Sequence, residues 1–113
     1  MLAPVTLFAY NRPYQTHLTL SALSKNKESK NSDLIVFIDG PKSSSQNHLI
    51  NYVENIVLSF KDSFNSLTIN KSEKNWGGAA SQRSGITKVL EKYEKLIVIE
   101  DDILVSPYFL KYM

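Results

Sequence analysis

Two short apolar runs, Leu34 to Ile38 and Leu96 to Ile99, constrain this chain more than any other feature of it. Each is closed by an acidic turn, Asp39-Gly40-Pro41 after the first and Glu100-Asp101-Asp102 after the second. A strand that is apolar at every position has no solvent face, so both runs read as parallel-sheet strands covered on both sides by helices. Parallel neighbours need crossover connections, and the sequence between the runs supplies them. Leu49, Ile50, Val53, Ile56, Val57 and Phe60 recur at helical spacing behind Ser43-Ser44-Ser45, which offers caps.

The same alternation extends to both sides. Pro4 to Tyr10 is rich in β-formers and reads as a first strand. It ends at Asn11-Arg12-Pro13, where Asn11 is expected to cap a helix and Pro13 to occupy its first turn. That helix carries Leu18, Leu20, Ala22 and Leu23 and gives way to a polar exit loop from Lys25 to Asp33. Ser66 to Asn70 makes a weaker third strand, Asn75-Trp76-Gly77-Gly78 a turn, and Ile86, Val89, Leu90 and Tyr93 the apolar side of a third helix. The fourth strand, Leu96 to Ile99, is expected to be buried like the second. The resulting fold class is α/β: three layers, α/β/α, around a mostly parallel sheet. Beyond it, Ser106-Pro107 reads as the start of another helix, and Tyr108, Phe109, Leu110 and Tyr112 are expected to form an apolar stub that drives self-association into a homo-oligomer. A stub of that kind reads as truncation of a longer chain.

Composition narrows the functional classes. The 113 residues, 42% hydrophobic, suffice for one modest core, so residues 1–113 read as a single domain or a large piece of one. Thirteen Lys and Arg against 11 acids give a formal charge of +2 with no block of one sign, which speaks against nucleic acid and against a membrane-surface patch. No run approaches the roughly 20 apolar residues of a membrane span, and the amino end lacks the basic and apolar regions of a secretory signal. The absence of cysteine rules out disulfides and thiolate chemistry. The expected location is cytoplasmic, extending to the inner face of the cell membrane.

Chemistry-bearing residues gather where such a fold would use them. Ligands of open parallel sheets sit beyond the carboxyl ends of the strands, where strand order reverses. Asn11 and Arg12 follow strand one, Asp39 and Gly40 strand two, Asn75 to Gly78 strand three, and Glu100 to Asp102 strand four. Three adjacent carboxylates call for a hard cation, Mg²⁺ or Mn²⁺, although a solvated acidic turn has the same composition. Asp39 can serve as an ordinary turn residue or accept a hydrogen bond from a base N–H or a ribose hydroxyl. Gly77-Gly78 can bring backbone N–H groups to a phosphate or simply form a tight turn. Trp76 can stack on a ligand, though capping the core beneath its loop is the expected role. His17 and His48 have no partners at metal spacing.

Taken in order, Phe8-Ala9-Tyr10-Asn11-Arg12-Pro13, Phe37-Ile38-Asp39-Gly40-Pro41, Asn75-Trp76-Gly77-Gly78 with Arg83 and Gly85, and Val98-Ile99-Glu100-Asp101-Asp102 with Ser106-Pro107-Tyr108-Phe109 resemble the start of a GT-A glycosyltransferase. The resemblance is to bacterial family-2-like enzymes similar to N-acetylglucosaminyltransferase I. It implies the Rossmann-like nucleotide-binding half of a hexosyltransferase that moves a sugar from a UDP-sugar to a carbohydrate or lipid-linked acceptor in polysaccharide biosynthesis. By that likeness the base lies near Arg12 and Asp39 with Tyr10 and Asn11, and the ribose near Asp101. Asp102 binds Mn²⁺ or Mg²⁺, and Glu100, Arg83, Gly77 and Gly78 attend the sugar and diphosphate. None of residues 1–113 matches the family's catalytic base, so this segment alone is expected to be inactive. Two other readings stay open: nucleotidylyl transfer, whose Gly-rich loop after strand one is missing here, and a non-catalytic nucleotide-binding or receiver-like α/β module.

Overall fold

A computed structural model describes residues 3–100 of the chain. Its elements run β1 (Val5–Ala9), α1 (Pro13–Ser24), β2 (Asp33–Ile38), α2 (Asn47–Ser59), β3 (Ser66–Lys71), α3 (Gly78–Leu90) and β4 (Ile97–Glu100), with single turns of 3-10 helix at Lys27–Asn31, Ser44–Gln46 and Lys61–Ser63. All pairings among the described strands are parallel, in the order β3-β2-β1-β4. Leu7 of β1 lies between Val36 and Ile99, so the apolar runs of the sequence meet in register.

One face of the sheet carries the main core. Val5, Leu7, Leu34, Val36, Ile38, Ile97 and Ile99 point into it and meet Leu20 and Leu23 of α1 and Ile50, Val53 and Val57 of α2, all buried. Pro13 opens α1 with its preset φ and no N–H to waste. The N-cap is Arg12 rather than Asn11, without a side-chain bond; instead Thr16 Oγ1 reaches back to the Arg12 carbonyl at 2.8 Å. At the other end buried Asn26 donates from Nδ2 to the carbonyls of Ala22 and Leu23, both at 3.3 Å, satisfying acceptors that a helix terminus leaves open. Ser43 to Ser45 do not cap α2: its N-cap is Gln46, reached through the 3-10 turn.

The opposite face is covered more thinly. Phe8 and Phe37 stack across β1 and β2 with centroids 5.3 Å apart, and α3 crosses them at Gly85. A Cβ there would stand 2.7 Å from the Phe8 ring, so only glycine lets the helix lie this close. Thr6, also on this face and fully buried, leaves Oγ1 without a hydrogen-bond partner.

Two expectations change. The fourth strand is not buried like the second: Ile97 and Ile99 are buried, but Val98 is 41% exposed and Glu100 is exposed. The alternation follows from position, since β4 pairs with β1, and α3 leaves Val98 open on its second face. Tyr93 lies beyond the end of α3, and its hydroxyl donates to Asp33 Oδ2 at the amino end of the sheet. The expected helix after Ser106 lies outside the described residues.

Candidate functional site

Strand order reverses at β1: the chain moves from β1 to β2 and β3 on one side and returns over the opposite face to β4 on the other. Right-handed crossovers therefore put α1 and α2 on one layer and α3 on the other, leaving a crevice at the carboxyl ends of β1 and β4. That crevice has a volume of about 530 Å³. Tyr10, Asn11 and Arg12 enter it from β1, Asp39 from β2, Gly77 and Gly78 from the start of α3, and Glu100 from β4. Residues more than 60 positions apart in the chain so share one rim.

Asp39 builds one wall. Although its side chain is polar, it is only 7% exposed, and N–H donors surround it there. Oδ1 accepts from the backbone N–H of Gly40 and of Trp76, each at 2.9 Å. Oδ2 accepts from the Gly77 N–H at 3.1 Å and from the Asn75 amide at 3.4 Å. The same Asn75 amide donates to the Gly40 carbonyl at 2.8 Å. These four donors match the acceptor capacity of a carboxylate, and they staple the loop from Ser72 to Gly77 onto the end of β2. Gly40 completes the joint, because a Cβ at that position would lie 2.5 Å from the Lys74 carbonyl oxygen. Gly77, at φ +80°, turns the chain into α3 through a conformation that side chains disfavour.

The opposite wall is a second network. The Tyr10 hydroxyl donates to Gln46 Oε1, and the Lys42 backbone N–H bridges both, 3.1 Å from Tyr10 Oη and 3.2 Å from Gln46 Oε1. Thus the loop from Pro41 to Gln46 is tied to the end of β1. On the floor between the walls, the Gln82 amide donates to the Glu100 carboxylate.

Lys42, Gln46 and Gln82 line the crevice and were not singled out from sequence. For Gln82 a signal existed: it stands four residues after Gly78, the spacing that puts two residues on one helical face. Lys42 and Gln46 had none, since they belong to a polar loop whose path depends on Tyr10. Arg83 is separate. It lies on the exposed side of α3, in a hollow with Trp76 rather than in the crevice. Trp76 is 58% exposed and does not cap the core. Asp101 and Asp102 lie outside the described residues.

The described residues do not by themselves form a metal site. Among them no three His, Asp or Glu side chains gather, Asp39 faces donors only, and Glu100 stands as a single carboxylate. The crevice does offer hydroxyl, amide and backbone donors around one polar floor, flanked by Arg12 and Lys42, which is suited to a polar anionic ligand.

Fold and site together define a three-layer α/β unit with an all-parallel four-stranded sheet among the described residues, matching part of a GT-A enzyme. The match is to the crystal structure of S. aureus TarS, a GT-A glycosyltransferase, with a TM-score of 0.74 and 21% sequence identity. It covers 99% of this chain but 18% of TarS, so the chain spans less than a fifth of the protein it resembles. No family model and no curated protein matches the sequence. Among the described residues no helix is long and apolar enough to cross a membrane.

Proposed function

We propose that this chain is the donor-binding part of a glycosyltransferase and that its crevice takes a nucleoside diphosphate sugar, with UDP as the nucleotide. The observation that carries this reading is the convergence of Tyr10, Asn11, Arg12, Asp39, Gly77, Gly78 and Glu100 on the one crevice at the reversal of strand order. In this reading Tyr10, Asn11 and Arg12 flank the base, with Asp39 holding the loop that shapes that wall. Asp101 attends the ribose. The open N–H groups at the start of α3 favour the diphosphate, because a helix N-terminus carries partial positive charge. Glu100, fixed by Gln82, stands on the sugar side.

Asp102 is assigned as ligand of Mn²⁺ or Mg²⁺, with substrate phosphates completing the shell. When bound, such an ion supplies Lewis-acid stabilisation of charge on the departing nucleoside diphosphate. The acceptor is a carbohydrate or lipid-linked hydroxyl, met at the inner face of the cell membrane, and the base that deprotonates it is assigned to no residue of 1–113. A receiver-like role is disfavoured by Asp39 itself: a phosphoacceptor needs an accessible oxygen, and both of its oxygens are engaged.

The test is calorimetric titration of the 113-residue chain with UDP, with and without Mn²⁺. Saturable binding that strengthens with Mn²⁺ and loses that increment in Asp102→Ala supports the reading. Absence of binding, or binding unchanged by Arg12→Ala and Asp102→Ala, overturns it.

A further inference from the structure

A second feature lies outside the crevice. Trp76 is the single tryptophan of the chain, and it is 58% exposed although its backbone is pinned on both sides. Its own N–H and that of Gly77 are bound by Asp39, and Asn75 before it is bound to Gly40. A large apolar ring raised into solvent on a pinned base loses little conformational entropy when something stacks on it.

The surroundings say what that would be. Trp76 lines two adjoining hollows of about 550 and 440 Å³. In the first, Arg83 and Thr87, and beside them Ser84 and Lys88, form two one-turn pairs along the exposed side of α3. Ser84 and Lys88 also border the second hollow, which opens towards the end of β3. An aromatic plate edged by hydroxyls and amines matches a sugar ring, whose C–H face packs on the indole while its hydroxyls bond to the rim. The charge adds a further requirement. Lys88 Nζ is bonded to the neutral Asn70 amide oxygen at 2.9 Å, so its charge is not cancelled there. Arg83 lines the same hollow, and Glu91 is the one acid that lines it with them. A hollow lined by a guanidinium and an ammonium against one acid favours carboxylate-bearing ligands.

We propose that Trp76, with Arg83 and Lys88, forms an acidic-glycan-binding surface on the outside of α3, separate from the nucleotide crevice. It does not depend on what the crevice binds. Because Trp76 is the sole indole, its fluorescence reports the surface directly in the full 113-residue chain. Titration with tetragalacturonic acid is expected to give a saturable blue shift, and cellotetraose, its uncharged counterpart, a binding weaker by about tenfold. Arg83→Gln/Lys88→Gln, two exposed substitutions that leave the core untouched, should weaken the acidic tetramer by a similar factor while circular dichroism stays unchanged. Trp76→Ala should abolish calorimetric binding. Saturating UDP should leave the affinity within about twofold. No saturable response to tetragalacturonic acid, an unaltered affinity in the double variant, or displacement by UDP would each overturn the proposal. A chain that fails to bind UDP leaves these readings intact, so the two proposals fail separately.

Discussion

Strand β2 carries an aspartate at each end, and the two are used in opposite ways. Asp39, at the carboxyl end, is buried and is met mainly by backbone N–H groups of Gly40, Trp76 and Gly77. Asp33, at the amino end, is half-buried and is met by side chains: Asn65 and Ser66, both at 2.7 Å, and the Tyr93 hydroxyl at 3.1 Å. Removing a buried acceptor orphans several buried or partly buried main-chain donors at once, whereas donors at a wet rim find water readily. The first aspartate therefore shapes a loop, and the second fastens one. The two aspartates thus fix different kinds of loop at the two rims of one strand.

The contrast can be broken by substitution. Asp39→Ala should cost the most, about 3 kcal/mol, since several backbone donors lose their partner together; urea unfolding followed by Trp76 emission measures it. A cost no larger than that of Asp33→Ala would erase the distinction. Gly40→Ala should come next at about 2 kcal/mol, because the added methyl presses on the Lys74 carbonyl, which is backbone and cannot swing aside. The same unfolding curves should show it. Asp33→Ala should cost about 1 kcal/mol, reduced by the exposure of its partners.

Smallest at neutral pH, and most diagnostic, is the acid limb. The hydrogen bonds from Asn65, then from Ser66, hold the Asp33 carboxyl below its ordinary 3.8 against the opposing cost of burial, with help from Tyr93 and Lys92. A depressed folded value means that the contribution is present above pH 3.8 and is lost as pH falls towards the folded value. Stability against pH should therefore fall less steeply below pH 3.8 in Asp33→Asn than in the parent. Parallel acid limbs in the two proteins would show that the clip at the amino end is not electrostatic.

Much of this architecture can be read from residues. The unbroken run Leu34 to Ile38 and the helical spacing from Leu49 to Val57 identify their elements because burial on both faces or on one stripe leaves a periodic trace. The gathering of Tyr10, Asn11, Arg12, Asp39 and Gly77 follows in turn from the rule of strand order. What escaped was set by tertiary position. Leu96 to Ile99 resembles the second strand in composition, but composition does not say that α3 leaves Val98 of β4 uncovered. Tyr93 fits the apolar repeat of α3, yet its hydroxyl is drawn to Asp33. Trp76 is exposed because Asp39 holds the backbone on either side of it, a restraint written 37 residues earlier in the chain.

The stacked rings of Phe8 and Phe37 act as a spacer beneath α3, and Gly85 is the point at which the helix rests on them. Any side chain there works as a wedge, tilting the helix and carrying Gly78 and Gln82 with it. The width of the cleft can thus be adjusted from underneath, by a residue that does not line it.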